Sequence, residues 1–421
     1  MSTLTRHARA AVTLAALMIP TLVHAQADSL AALRARLDAL QGRVDGMTEQ
    51  AQTTQTDLDK LKRFKFSGYV QVRYAVSEQS ADTVKVEKAP AVITPANQDR
   101  LFLRRTRFKL TYDANPLSQA VIYLNATSLS GDLNVKLLEA YVTLMDPWTV
   151  DHRHQLTIGQ MNVPFGYEIE RSSSIRELPE RSRAENVLFP GERDRGIKLV
   201  SAWSPRIETV LGVYNGGGFL DAAVYGTEDP SRSKDVTGRL RFSQGTVDVA
   251  VSGYSGTGLV PYTGPEVSFD RTRYGGDAQG YYALPRLGGG SLKGEFYLGT
   301  NLNTDSLKTF TQAPTAANPV TLLKPGVDPA HFSTEFRGWY VMWVQNLGEQ
   351  FQAAARYDEY DPNTTLAHDQ YQRWSLGVNY FYDGFVRLTA AYDIPKTDAV
   401  VAGGYADPKD NRWTFQVQLK Y

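Results

Sequence analysis

In one segment of this chain, over residues 105–112, charged or polar side chains alternate with mostly apolar ones. The stretch RLFLRRTRFKLTYD, Arg100 to Asp113, puts Arg105, Arg107 and Lys109 on odd positions. The even positions hold Thr106, Phe108, Leu110 and Tyr112. Because successive side chains of a β-strand point to opposite faces, one face would carry three positive charges and the other an apolar band. Such a strand needs a polar environment on one side and an apolar medium on the other.

The same alternation recurs from Phe64 to the last residue. The stretches FSGYVQVRYAV, GRLRFS, SLKGEFYLG and DGFVRLTAAYD alternate apolar with polar residues, and turn signals such as DANP and NGGG separate such segments. A soluble sandwich would bury the apolar face, whereas a membrane barrel turns it toward lipid and the polar face toward a wet lumen. The charged rows favour the barrel, because a lumen can hydrate Arg and Lys side by side. At roughly 22 residues per strand and connection, residues 63–421 predict an all-β, transmembrane antiparallel β-barrel of about 16 strands.

The last ten residues, RWTFQVQLKY, form a final amphipathic segment. One parity holds Trp413, Phe415, Val417, Leu419 and Tyr421, and the chain finishes on an aromatic residue. This pattern resembles the signal that the outer-membrane assembly machinery recognises, although such signals usually end in Phe. An ordinary edge strand ending by chance in Tyr is the alternative.

The N-terminus predicts a signal peptide over residues 1–25. Arg6 and Arg9 precede the apolar run AAVTLAALMIPTLV, and Ala25 supplies the small residue of a cleavage site. A short membrane anchor is the alternative, but the run is shorter than the ~20 residues of a span and contains Pro20. The chain has no Cys, which excludes disulfides, thiolate metal sites and a cysteine-anchored lipoprotein.

Residues 26–62 differ from everything that follows. Apolar or small residues spaced alternately by three and four are Leu30, Leu33, Leu37, Leu40, Val44, Met47, Ala51, Thr54, Leu58 and Leu61. This heptad pattern predicts a coiled-coil helix that pairs with copies of itself, but its core residues do not fix the number of helices that pair. Gly42 and Gly46 weaken the helix. A single amphipathic helix or a flexible tether is the alternative.

Several stretches, in order, resemble the phosphate-selective porin O and P family. They are RLFLRRTRFKL, LLEAYVTL (137–144), LTIGQMNVPFGYEIERSSS (156–174), LPERSRAENVLFPGERDRGIKL (178–199) and ARYDEYDPN (355–363). The most specific portion lies within 100–200. The resemblance implies a sixteen-stranded barrel in the outer membrane of a Gram-negative bacterium, usually a homotrimer. It also implies an N-terminal periplasmic segment, which here would be the coiled-coil helix. It also implies an anion-selective channel narrowed by an inward-folded loop.

The insert 163–195 is the predicted constriction loop. It follows the strand-like HQLTIGQ, and NVPFG ends that strand because Pro164 and Gly166 turn the chain. Paired charges crowd the insert, and opposite charges can anchor a loop to a barrel wall. The predicted loop clamps are Glu180, Arg181 and Arg195. The predicted pore-facing cations are Arg171, Arg176 and Arg183.

The charged parity of the opening segment predicts a lumen lining. Arg105, Arg107 and Lys109, with Arg73 from the preceding strand, would attract anions into the pore and repel cations. Phosphate suits Arg through bidentate hydrogen bonds, whereas Lys contributes a point charge. The alternative is that these cations only hydrate the wall and pair with acids such as Glu139 or Asp113.

The sequence therefore predicts a passive, anion-preferring outer-membrane channel, with no enzymatic activity and no cofactor. A general porin for sugars or organic acids is the first alternative, since Lys+Arg and Asp+Glu both number 45. An enzyme or adhesin is the second, because the inserts at 256–290 and 302–335 could be binding loops. We predict no metal site, because His152 and His154 lack an acidic or Cys partner in pattern. Balanced charge also argues against a nucleic-acid partner.

Overall fold

The computed structural model describes residues 4–82, 84–88, 91–95, 97–129, 132–217, 229, 231–260, 267–303, 311–312, 322–323, 332–401 and 404–421. The chain forms two compact units, residues 1–64 and 65–421.

The first unit is one helix, α1, Leu4–Lys62. The predicted helix over 28–62 is confirmed, and eight of its heptad residues are exposed: Leu30, Leu33, Leu37, Leu40, Val44, Met47, Leu58 and Leu61. Thr48, Thr53 and Thr56 satisfy their hydroxyls on carbonyls one turn back, which allows them to lie inside the helix. Within the described residues, no helix is both long and apolar enough to span a membrane. Pairing of the apolar seam with other copies stays a prediction.

The second unit is a closed antiparallel barrel, to which the described residues contribute sixteen strands. They are β1 Phe64–Ser77, β2 Arg100–Asn115, β3 Ser118–Leu129, β4 Asp132–Met145, β5 His154–Asn162, β6 Arg193–Ala202, β7 Ile207–Tyr214, β8 Asp235–Gln244, β9 Val247–Leu259, β10 Ser268–Leu284, β11 Gly288–Leu302, β12 Ser333–Leu347, β13 Phe351–Asp361, β14 Tyr371–Phe381, β15 Val386–Thr397 and β16 Arg412–Lys420. Strands β1 and β16 close the barrel, from Tyr69 opposite Lys420 to Ser77 opposite Arg412. The predicted sixteen-stranded fold is confirmed.

Strand parity follows the sequence prediction. On β2, Arg105 and Arg107 are buried on the inner face, whereas Phe108 is exposed on the outer face. At the end of the chain, the five apolar and aromatic positions from Trp413 to Tyr421 are exposed, whereas Thr414, Gln416 and Gln418 between them are buried. The outer face is thus apolar and the inner face polar, as the lipid and the lumen of a membrane barrel require.

The two ends of the barrel differ in the length of their connections. One end has short turns, such as 116–117 and 245–246, and the other has long loops, such as 163–192 and 398–411. Three small hairpins extend beyond the long-loop end: Val84–Lys88 with Ala91–Pro95, Thr311–Gln312 with Leu322–Leu323, and Ala399–Val401 with Gly404–Ala406.

Two predicted insert boundaries are wrong. Most of 256–290 is the end of β9 and the whole of β10, because the alternation continues through SFDRTRYGG. The constriction loop ends at 192, and residues 193–195 already belong to β6. Most of the insert 302–335 lies outside the described residues.

The apolar core lies inside the barrel, where the loop 163–192 packs against the wall. Phe165, Ile169 and Leu188 from the loop are almost fully buried. They join wall residues that include Tyr214, Tyr254, Tyr297, Phe336 and Tyr340. Glycine is needed at two of these contacts, because a Cβ on Gly275 would lie 2.9 Å from the ring of Phe165 and one on Gly338 2.8 Å from Ala184. The missing side chains of Gly275 and Gly338 therefore leave room for loop residues at these two positions of the wall.

Candidate constriction and ion pathway

The loop 163–192 is first anchored on strand β11. The carboxylate of Glu295 accepts the backbone N–H groups of Tyr167 at 3.0 Å and Glu168 at 2.7 Å. It also accepts the phenols of Tyr297 and Tyr340, each at 2.7 Å. One buried wall carboxylate thus fixes the start of the loop through four hydrogen bonds.

The middle of the loop is held by three arginines around Glu180. Arg73 on β1 pairs with its carboxylate and donates to the carbonyl of Pro179 at 2.8 Å. Arg104 Nε lies 2.9 Å from Glu180 Oε1, and Arg105 Nη2 lies 3.5 Å from Oε2. Burial raises the pKa of Glu180, but the three guanidinium groups outweigh it and hold that pKa well below its usual range. The carboxylate is therefore ionised and contacts three wall arginines, while its role as a loop clamp stays a prediction.

Arg181 joins the two ends of the loop. Its Nε donates to the carbonyl of Glu168 at 2.9 Å and its Nη2 to that of Ile169 at 3.0 Å. Its third guanidinium nitrogen pairs with Glu192, the last loop residue. The carbonyl of Arg181 in turn accepts from Arg373 of the wall at 2.7 Å. Arg181 thus contacts both ends of the loop and the wall, and its role as a loop clamp stays a prediction.

The loop contains one short helix, α2, Arg183–Leu188, fixed against β13. Asp358 of that strand accepts the backbone N–H of Arg183 at 2.9 Å. Before the helix, Glu168 accepts both the N–H and the hydroxyl of Ser182. Glu168 also pairs with Arg356 of the wall at 2.9 Å. These contacts set the path of the loop across the lumen.

A cavity of about 440 Å³ lies between the loop and the wall formed by β1–β6, toward the short-turn end. We call it the loop cavity. Its lining cations are Arg107, Lys109, Arg171, Arg181, Arg193, Lys198 and Lys420. Its lining carboxylates are Glu139, Glu170 and Glu192. Seven cations less three carboxylates give the described part of the lining a formal charge of +4.

Arg107 lines the loop cavity and contacts two tyrosine rings of the wall and one serine of the loop. Its guanidinium lies over the rings of Tyr69 at 5.7 Å and Tyr123 at 5.5 Å, and Nη1 lies 3.2 Å from Ser173 Oγ on the loop. The rings orient the guanidinium by cation–π contact and leave its charge uncompensated by a carboxylate there. Lys109, nearby on the same strand, lies 3.9 Å from Glu139.

The structure separates the predicted cations into groups. Arg107, Lys109 and Arg171 line the loop cavity, whereas Arg73 and Arg105 face Glu180. Arg176 is buried, with its carbonyl accepting from Arg387 at 3.1 Å. Arg183 is exposed and lines a second cavity, and Arg195 lies on β6 opposite Gln160.

Sequence reasoning missed several lining residues, although their parity was available. Lys198 alternates with the outward-facing Ile197 and Leu199, and Lys420 continues the inner parity of β16. Arg193 was read as part of the loop, but it begins β6 and pairs with Glu139 at 3.0 Å. Reading the basic residues by parity alone would have added the two lysines to the lining.

The predicted pairing of wall cations with acids is partly seen. Lys109 approaches Glu139, whereas Asp113 pairs with Lys65 at 2.6 Å.

His152 hydrogen-bonds the carbonyl of Asp146 in a turn, and the ring of His154 packs edge-on at 5.5 Å from that of Trp203. Among the described residues, no cluster of three or more His, Asp or Glu could hold a metal ion.

Comparison with known proteins places this geometry in context. The model of the family described as Phosphate-selective porin O and P matches residues 89–257, which confirms the resemblance read from the sequence. No curated protein sequence matches the chain. An anion-selective porin from Comamonas acidovorans is similar in structure, with a TM-score of 0.54 at 12% identity, over 85% of this chain and 99% of that one.

Two further barrels share the fold. The in-vitro folded OmpT of Vibrio cholerae, in its trimer form, has a TM-score of 0.52 at 10% identity, over 85% of this chain and 99% of its own. Salmonella typhi OmpF, in complex with daunomycin, has a TM-score of 0.51 at 8% identity, over 85% and 97%. At these identities the likeness establishes the barrel architecture alone.

Proposed function

We propose that this chain, whose residues 89–257 match the model of the phosphate-selective porin O and P family, is a passive outer-membrane channel that prefers anions. The loop 163–192 narrows the lumen, and solutes pass through the space left beside it. No covalent chemistry takes part, and no cofactor is required. The short-turn end, where β1 begins and β16 ends, faces the periplasm of a Gram-negative bacterium. The outer-membrane assembly machinery recognises β16.

The +4 lining of the loop cavity is the observation that carries this proposal. Confined positive charge with low-dielectric walls raises the local concentration of anions and lowers that of cations. Four of the lining cations, Arg107, Lys109, Lys198 and Lys420, come from three different strands. An anion can therefore exchange between them instead of binding tightly at one. The similar porin from Comamonas acidovorans is described as anion-selective, which supports the same preference.

Phosphate is the oxyanion we propose as the solute. Arg107 and Arg171 offer guanidinium groups, whose planar donors match oxyanion oxygens in pairs. The serines at 172–174, which also line the loop cavity, add hydroxyl donors. A general porin remains the second candidate, because Glu139, Glu170 and Glu192 give the same lining a mixed character.

The variant Lys109→Gln/Lys198→Gln should weaken anion selectivity, because it lowers the lining charge from +4 to +2. We expect the anion-to-cation permeability ratio to fall by up to about sixteenfold, because each charge about 10 Å from a passing ion contributes roughly 0.4 kcal/mol before screening and acts with opposite sign on anions and cations. Salt reduces this effect. The measurement is the reversal potential in a planar bilayer under a salt gradient.

Lys60→Gln/Lys62→Gln is the matched control, because it removes the same charge from the exposed end of α1. The anion proposal fails if the wild-type channel passes cations and anions equally. It also fails if the control changes the permeability ratio as much as the lining variant does. A phosphate-dependent block of chloride current would single out phosphate, and free passage of neutral sugars would favour the general porin.

We further propose that α1 assembles the chain into a homotrimer through its exposed seam. Leu33→Gln/Leu40→Gln should weaken self-association by well over tenfold, because each buried Leu contributes about 1.5–3 kcal/mol. Analytical ultracentrifugation in detergent measures the association. Ala32→Gln/Ala39→Gln, off the seam of the same helix, is the control. An unchanged oligomer after deletion of residues 28–62 would show that the barrel alone holds the copies together.

A further inference from the structure

A second cavity, of about 320 Å³, opens among residues at the long-loop end of the barrel. We call it the vestibule. Among the described residues, its lining contains one cation, Arg183, and one carboxylate, Asp369, whose formal charges cancel. The remaining polar groups are neutral amides, hydroxyls and phenols, among them Asn301, Asn363 and Thr334. The vestibule thus differs in kind from the +4 loop cavity, and attraction of anions does not explain its chemistry.

The amide and hydroxyl groups come from the ends of two paired strands and from the connection after a third. Asn301 on β11 lies directly opposite Thr334 on β12, so the two side chains form one polar edge. Asn363, after β13, is 7% exposed, and its Oδ1 already accepts the N–H and hydroxyl of Thr365. Those bonds fix the amide plane and leave its two N–H groups to point elsewhere. Fixed amides and hydroxyls donate and accept, as hydroxyl groups of a solute require.

An aromatic ring completes the vestibule. Tyr371, at the start of β14, is half-buried, and the guanidinium of Arg183 lies 5.1 Å from its ring centre. An aromatic wall beside fixed polar groups suits a solute with an apolar C–H face and hydroxyls at its edge. The volume falls at the small end of known ligand sites, which excludes a large oligomer.

We propose that the vestibule is a binding subsite for a neutral polyhydroxylated solute of monosaccharide to disaccharide size. The subsite is separate from the anion pathway and does not depend on its selectivity. Sugars that enter from the long-loop end would dwell there before reaching the constriction. The channel would then accept two classes of solute at two sites on opposite sides of the loop.

Isothermal titration of glucose into the full-length protein tests the proposal. The detergent is a sugar-free amine oxide, because maltoside headgroups would compete. We expect saturable binding that Asn301→Leu/Thr334→Val weakens about tenfold or more, since two hydrogen bonds are lost with little change in side-chain shape. Thr334→Val alone, expected to weaken binding severalfold, serves if the double variant does not assemble.

Asn346→Leu is the control, because it removes an amide at the short-turn end of β12, outside the vestibule. It should bind glucose as the wild type does. Absence of saturable heat from glucose overturns the proposal, and so does equal weakening by the control. Saturable heat from inorganic phosphate without any from glucose would overturn the sugar subsite and leave the anion channel intact. Saturable glucose binding by a channel without anion selectivity would support the sugar subsite and overturn the proposed anion preference.

Discussion

Glu180→Gln should increase single-channel conductance and current noise, because it releases the middle of the constriction loop. The substitution leaves three guanidinium groups, those of Arg73, Arg104 and Arg105, without their shared carboxylate. Removing one partner of a buried charge cluster typically costs about 3–5 kcal/mol, because the remaining charges stay desolvated and unpaired. Glu180 is partly exposed, so the lower end of that range applies. Single-channel recording in a planar bilayer measures the effect.

The same clamp should give the channel a defined acid limit. The three arginines hold the pKa of Glu180 below its ordinary value of 4.5, so the folded loop binds the proton less well than the free loop does. Its stabilising contribution is therefore complete above about pH 4.5 and is lost as the pH falls through the lower, folded-state pKa. Wild-type conductance should therefore rise as the pH falls below about 4.5.

Glu170→Gln is the matched control for Glu180→Gln. Glu170 is an exposed carboxylate of the same loop and lines the loop cavity. Its loss raises the lining charge but removes no clamp, so it should increase anion selectivity slightly without added noise. Equal conductance and noise in Glu180→Gln and the wild type would show that the other anchors hold the loop without this carboxylate.

The barrel could be predicted from the sequence because strand parity is a local property. Each residue of β2 or β16 faces lipid or lumen according to its position along its own strand, and a few residues reveal the pattern. The same logic found Arg107 and Lys109, which do line the loop cavity. Lys198 could have been found in this way too.

The partners of the loop could not be predicted, because they depend on the path of residues 163–192 through the lumen. Glu180 meets Arg73, Arg104 and Arg105, residues separated from it by about 75 to 107 positions. Arg104 even falls on the apolar parity of β2, yet its guanidinium reaches the loop. Arg73 and Arg105 were therefore assigned to an anion pathway, whereas they contact a carboxylate. The charged composition of the loop indicated which residues could anchor it, but not which wall residues they contact.

Glu185→Gln should make the loop insensitive to a rise in pH above about 4.5. Glu185, in α2, is 1% exposed, and neither carboxylate oxygen has a hydrogen-bond partner among the described residues. Burial, and then the nearby carboxylate of Glu295, raise the pKa of Glu185 well above 4.5. The docked loop therefore keeps a proton that a detached loop would lose.

This raised pKa has the opposite sign to that of Glu180. As pH rises above about 4.5, a detached loop gives up the Glu185 proton while the docked loop retains it, so docking becomes less favourable until the folded-state pKa is passed. One group changes the free energy of docking by at most about 1.4 kcal/mol per pH unit. Wild-type current noise should therefore grow with pH over this window. Glu185→Gln keeps the shape of the side chain but cannot ionise. The current noise of this variant should therefore stay low and constant.

Single-channel recordings between pH 5 and pH 9 compare Glu185→Gln with Glu170→Gln, whose carboxylate is exposed in the same loop. Glu170→Gln should retain the rise in noise with pH that the wild type shows. If Glu185→Gln retains it as well, the pH response arises from another group and Glu185 does not control docking. If Glu185→Gln abolishes it, the loop is held by two carboxylates of opposite character. The ionised Glu180 would then set the acid limit of the closed loop, and the protonated Glu185 its alkaline limit.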